Sequence, residues 1–126
     1  MPRLCYALDL IYEPQSIAAY EALHRPGGVW AEIIDDIRAE GYGSMQIWRT
    51  GDRLFMVTDT ADDFPRGTRS AAMTEIFDRW QVLMDKFQRR LPHAQATQKW
   101  MPMDCIFDLD GHAGSVSSDS PAVRQA

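Results

Sequence analysis

The stretch from Ser44 to Asp59 constrains the fold of this chain more than any other. Ser44-Met45-Gln46-Ile47-Trp48-Arg49 alternates with a period of two, Thr50-Gly51-Asp52 supplies a turn, and Arg53-Leu54-Phe55-Met56-Val57-Thr58-Asp59 follows as a second extended run. Two such runs joined across a glycine turn predict a β-hairpin. A hairpin is not stable alone in water, so the remaining chain must supply further strands and a layer of helices to bury one of its faces.

The flanking segments fit that demand. Leu4 to Leu10 is short, apolar and bounded by Glu13-Pro14, which predicts a first strand. Ser16 is placed to cap a helix from Ile17 to Leu23. After a break at Pro26-Gly27-Gly28, Val29, Ile33, Ile34 and Ile37 recur at helical spacing until Gly41. Beyond the hairpin, Pro65 and Gly67 mark a loop. Ala72, Ile76, Phe77, Trp80, Leu83, Met84 and Phe87 then fall on one helical stripe, closed by Leu91-Pro92. A last strand is predicted over Trp100 to Leu109. The order β-α-β-β-α-β is the α+β, ferredoxin-like split βαβ pattern, with two helices expected over one face of a four-stranded antiparallel sheet. The other face, carrying Trp48, Phe55 and Phe107, is left as an apolar patch that a second copy of the chain is expected to cover.

At 126 residues the chain fits one domain, expected over residues 1–109, that buries something over ~60% of its unfolded surface. The tail 110–126 lacks an apolar period and is expected to be disordered. A formal charge of −5 with scattered basic residues argues against a nucleic-acid partner, which would require clustered cations. The one adjacent basic pair, Arg89-Arg90, is expected at a solvated helix end. The apolar start is interrupted by Asp9 too early for a signal peptide, and no run approaches ~18 apolar residues. No membrane association and a cytoplasmic location are therefore expected. Cys5 and Cys105 lack metal-ligand spacing, so they are expected to be reduced and buried in strands, with no metal site.

Chemistry concentrates at Tyr20 and His24. In a helix they stand at i and i+4, roughly 5–6 Å apart at the Cβ atoms. Imidazole titrates near 6.5 and phenol near 10, so the pair can hold and pass protons for a small polar substrate without metal or cofactor. A helix histidine is more often structural, and a tyrosine there is often a core-edge residue with a bonded hydroxyl. Trp30 offers stacking surface nearby.

Several segments together resemble the L-rhamnose mutarotase family: Tyr6-Ala7-Leu8 in the opening strand, Tyr20-x-x-x-His24, Trp30-Ala31-Glu32 opening a helix, Ile47-Trp48, Arg79-Trp80, and the closing Ile106-Phe107-Asp108-Leu109. The resemblance runs in order over residues 4–109. It implies a homodimeric α/β barrel that interconverts the α and β anomers of a 6-deoxy-L-hexopyranose without cofactor. It also implies His24 as proton donor and Tyr20 as a sugar-binding partner. The chain departs from the family's pattern at three places. Met45 stands where a second-strand tyrosine is expected, Trp80-Gln81 stands for a tryptophan pair, and the Pro26-Gly27-Gly28 loop is longer. These departures fall on sugar-contacting positions and favour L-fucose over L-rhamnose, as do Ile47-Trp48-Arg49 and Gly51-Asp52-Arg53-Leu54, which resemble relatives acting on L-fucose.

Ring opening needs one group to take the anomeric proton and another to protonate the ring oxygen. His24 is the expected donor to the ring oxygen, and the acceptor is left open among Tyr20, Asp9 and an ordered water. The expected substrate-binding residues are Trp30, Met45, Trp48, Trp80, Gln81 and Asp104. The tryptophans suit the flat apolar face of a pyranose, though tryptophans also fill cores. Asp104 and Arg49 can bond hydroxyls or simply pair with other charges. No role falls to His93 or His112. Two other functions fit similar barrels: a cofactor-independent monooxygenase or haem-degrading protein, and a non-catalytic sugar-binding barrel. A tyrosine and histidine together on a helix suit a hydroxyl-rich ligand better than the apolar or haem-sized pocket of the former.

Overall fold

The hairpin forms as its alternation requires. In the computed structural model, which describes residues 2–112, β2 (Tyr42–Thr50) and β3 (Arg53–Thr60) pair antiparallel, with Ile47 opposite Met56 and Met45 opposite Thr58. Strand β1 (Arg3–Leu10) pairs with the free side of β3, setting Tyr6 opposite Met56 and Leu8 opposite Leu54. Residues directly opposite share a sheet face. Leu54, Met56, Thr58 and Thr60 are accordingly buried, while Phe55, Val57 and Asp59 between them are half-buried on the other side.

Three helices are present among the described residues: α1 (Pro14–Leu23), α2 (Ala31–Glu40) and α3 (Ala71–Asp85). The core joins Leu10 and Leu54 of the sheet to Ile17 and Tyr20 of α1, Ile33 of α2, and Trp80 and Met84 of α3. The cap of α1 is Glu13 rather than Ser16. Its carboxylate accepts from Gln15 N at 3.0 Å and Ser16 N at 2.7 Å, so the helix begins at Pro14, where a missing N–H costs nothing. Gly41, at φ +117°, ends α2 as its position predicts.

The C-terminal third departs from expectation. Helix α3 stops at Asp85, and the chain at once forms β4 (Gln88–Arg89) against the end of β1, with Leu10 opposite Gln88. Arg89 therefore lies on a strand, not at a helix end, and its guanidinium meets Asp52 at 2.8 Å. The expected last strand shrinks to β5 (Met101–Pro102), paired with Tyr6 and Ala7 of β1. Pro102 has no N–H to donate. Met103 N still reaches Cys5 O at 2.8 Å, but residues 103–109 form no strand. Cys105 is thus exposed and Cys5 half-buried, against the expectation that both are buried in strands. Residues 110–112 form a 3₁₀ turn, and the rest of the expected disordered tail lies outside the described residues.

The sheet order is β2-β3-β1-β4, with β5 also on β1 and every pairing antiparallel. This is the ferredoxin-like arrangement with its final strand split in two. On the face away from the helices, Trp48, Phe55, Ala7 and Met101 stand opposite one another in one row across four strands, and Trp48 is 61% exposed. No helix among the described residues is long and apolar enough to cross a membrane.

Candidate functional site

Between the helices and β2 lies a cavity of about 840 Å³, and Tyr20 and His24 sit in its wall. Helix α1 ends at His24, whose backbone (φ −102°, ψ 0°) forms the C-cap. Carbonyls in a last helical turn lack intrahelical partners, and His24 uses one of them: its Nδ1 lies 2.7 Å from Tyr20 O. A carbonyl only accepts, so Nδ1 carries the hydrogen. That leaves Nε2 as the basic atom of the neutral ring. Burial lowers the His24 pKa below 6.5, outweighing the opposing effect of the Tyr20 carbonyl.

The rings pack as i, i+4 spacing predicts. Tyr20 and His24 have centroids 4.2 Å apart, tilted by 33°, and Trp80 stands edge-on to His24 at 6.1 Å. Tyr20 is 3% exposed. Burial raises its pKa above 10.0, against the smaller lowering effect of Gln88. The phenol is therefore protonated at neutral pH. Gln88 Nε2 donates to Tyr20 Oη at 3.2 Å, so the phenol's own proton remains available to another acceptor. On the far side of the same amide, Gln88 Oε1 is buried with no hydrogen-bond partner among the described residues. An unpaired buried acceptor costs about 1–3 kcal/mol.

Of the residues singled out from the sequence, His24, Tyr20, Met45, Trp80 and Gln81 line this one cavity. Trp30 is not in the lining; it caps α2 and stands edge-on to Trp80 with centroids 5.0 Å apart. Trp48 lies on the opposite sheet face, its Nε1 donating to Gln46 Oε1 at 3.2 Å. One residue of strand separates it from Ile47, which does line the cavity, and one residue reverses the face. Asp104 is exposed on the segment that fails to continue β5. Asp9, weighed as a proton acceptor, is also on the wrong face. It is opposite Arg53 in the register and takes a bidentate pair from that guanidinium at 2.8 and 3.2 Å. Arg49 is held by Glu21 at 3.1 Å.

Three residues that sequence reasoning missed now matter. Gln88 was hidden because its segment reads as a helix end. Tyr42, three residues before Met45 on the same strand, brings another phenol to the cavity, its pKa raised chiefly by burial. Lys99 donates to Gln81 Oε1 at 2.7 Å and pairs with Asp85 at 2.6 Å. With its oxygen engaged, Gln81 is left with its NH₂ donors for a ligand. A second, smaller cleft of about 260 Å³ between α2 and the start of α3 holds Asp36, Glu40 and Arg69. These groups are already paired with one another, Arg69 to Asp36 at 2.9 Å and to Glu40 at 3.6 Å.

Taken together, the large cavity offers a neutral imidazole base, a protonated phenol, amide donors and indole faces. It can exchange protons with a polyhydroxylated ring while stacking on its apolar side. The chain is similar to known sugar mutarotases. A family model described as L-rhamnose mutarotase matches residues 3–109. An L-fucose mutarotase of Xanthomonas campestris pv. campestris is 37% identical over 124 residues, which cover 97% of this chain and 98% of that protein. A UPF0734 protein of Dictyostelium discoideum is 33% identical over 110 residues, covering 82% of this chain and 86% of that one. The crystal structure of an L-rhamnose mutarotase from Formosa agariphila shares the fold, with a TM-score of 0.63 at 18% identity over 86% of this chain and 98% of that chain.

Proposed function

Because this chain belongs to the L-rhamnose mutarotase family, a family of carbohydrate isomerases, we propose that it interconverts the α and β anomers of a 6-deoxy-L-hexopyranose, with L-fucose as the sugar. The observation that carries the reading is the Tyr20–His24 pair in the cavity wall, with imidazole and phenol both neutral at pH 7. The extent and identity of the match to the L-fucose mutarotase favour that sugar, as do Met45 and Gln81 in the lining.

In ring opening, His24 Nε2 takes the proton of the anomeric hydroxyl. As the C1–O5 bond breaks, O5 takes the Tyr20 phenolic proton, giving the open aldehyde. After rotation about C1–C2, closure reverses both transfers: the imidazolium returns a proton to the former carbonyl oxygen, and the new ring's O5 yields its proton to the phenolate. His24 is thus a base on opening and a donor on closure. This differs from the role that the family resemblance implies, donation to the ring oxygen, and burial, which disfavours the charged ring, supports the base role.

The sign of the pH dependence follows. Neutral His24 is the active form, so kcat/KM is level near pH 7 and falls on acidification with a midpoint below 6.5, the direction in which burial moves this group. Folding stability moves the same way. A base with a lowered folded-state pKa takes up its proton more readily when unfolded, so stability declines once pH drops past about 6.5. Inversion-transfer proton NMR on equilibrated L-fucose and L-rhamnose, repeated from pH 5 to 8, reads the rates. Exchange faster with L-fucose, together with an acid limb, is the expected result. Rates no greater than in protein-free buffer would discard the mutarotase reading in favour of sugar binding alone.

Homodimerisation belongs to the same proposal. The row Trp48, Phe55, Ala7 and Met101 faces away from the helices, and an apolar sheet face of this kind suits a second copy of itself. Light scattering should return about twice the 14.4 kDa of one chain; a mass equal to one chain would rule the dimer out.

A further inference from the structure

Building on that reading of the site, we propose that Gln88 is a sugar-contacting residue: one end of its carboxamide holds the Tyr20 hydroxyl, and the other bonds a hydroxyl of the substrate. Nothing in the sequence pattern suggests it. Strand β4 is only two residues long, yet its backbone is well anchored. Gln88 is paired opposite Leu10, and the preceding Phe87 accepts from Ile11 N at 2.8 Å. Leu10 belongs to the core on the helix side of the sheet, so its partner Gln88 points to the same side, and it lines the cavity beside Tyr20 and Met84.

An amide there needs partners at both ends. The described residues supply one, Tyr20 Oη at 3.2 Å, and leave Oε1 buried and unpaired. Exchanging the amide's oxygen and nitrogen does not remove the problem. Tyr20 would then donate to Oε1, and the NH₂ would be the end without a partner. A hydroxyl both donates and accepts, so it satisfies either orientation. The same bond governs the catalytic phenol: while Gln88 donates to Tyr20, the phenolic proton is directed to some other acceptor, as delivery to a ring oxygen requires. Gln88 therefore binds substrate and positions Tyr20 with one side chain.

The test replaces Gln88 with leucine, close in size and without polar atoms. Removing an unpaired buried acceptor offsets the lost bond to Tyr20, so the melting temperature should stay close to level, while KM for L-fucose rises about tenfold and kcat falls less. The 2-, 3- and 4-deoxy derivatives of L-fucose complete the cycle. One of them should lose about tenfold in kcat/KM on the wild-type protein and no more than about twofold on the Gln88→Leu variant, since both changes delete the same bond. A KM unchanged in Gln88→Leu overturns the contact. So does a raised KM with deoxy losses that simply multiply, which would mean that Gln88 only supports Tyr20. Wild-type protein that exchanges neither L-fucose nor L-rhamnose overturns the mutarotase reading itself, and this proposal with it, whereas an active wild type with an indifferent Gln88→Leu removes only the role of Gln88.

Discussion

Replacing His24 with alanine should lower protein-dependent anomer exchange of L-fucose by about 10²–10⁴-fold, the range that a positioned acid–base group supplies. The loss should fall on kcat, because the imidazole acts in the transition state and contributes little ground-state binding. The hollow left by the ring lies against Tyr20 and Trp80, whose centroids stand 4.2 and 6.1 Å from it. Free imidazole added to the His24→Ala protein should therefore restore part of the rate, and should do so better above pH 6.5, where it is the neutral base. The readout is inversion-transfer NMR with unfolding followed in parallel. A variant that exchanges within twofold of wild type would remove His24 from the chemistry.

The second large effect comes from a residue that never touches the substrate. A Cβ placed on Gly28 would lie 2.5 Å from Leu23 O and 2.8 Å from Ala22 O, both backbone atoms of the helical turn that ends in His24. No side chain can move aside to make room. The turn at this point is also closed by Gly28 N donating to Arg25 O at 2.8 Å. Gly28→Ala should cost about 1–3 kcal/mol as overpacking. It should cost more in activity, because displacing a catalytic group by 1 Å can lower the rate about 10²-fold. Gly27 next to it provides the control. Its φ is +86° and a Cβ there meets nothing within 4 Å, so Gly27→Ala carries backbone strain of about 1–2 kcal/mol without pushing on α1. Comparable destabilisation is expected from the two changes, with exchange preserved in Gly27→Ala and lost in Gly28→Ala. Equal activity in both would mean that the close approach of the loop to α1 does not hold His24 in place.

Much of this architecture is legible before any coordinates. The alternation of residues 44–59 predicts the β2–β3 hairpin, and the stripe from Ala72 to Met84 predicts α3, because both depend on side-chain periodicities of one element. The Tyr20–His24 contact is legible for the same reason: i, i+4 neighbours on a helix meet whatever surrounds them. Errors gather where pairing is non-local. Phe87 continues the helical stripe by spacing, but the chain gains more by leaving the helix at Asp85 and bonding β4 to the end of β1. Trp100 to Leu109 has the composition of a strand, yet only Met101–Pro102 forms one against β1, and the pairing ends after Met103 N bonds Cys5 O.

Local sequence determined the elements from β1 to α3, their order, and the chemistry that one helix turn can hold. The tertiary structure decided which side of each strand meets the helices, and so placed Met45 and Ile47 in the cavity while turning Trp48 and Asp9 away from it. It also brought Gln88 to Tyr20 across 68 positions, and by enclosing His24 it lowered that residue's pKa. The physical reason is common to all three. Periodicity is carried by neighbouring residues, whereas face selection, desolvation and long-range hydrogen bonds exist only once distant segments have excluded water from one another.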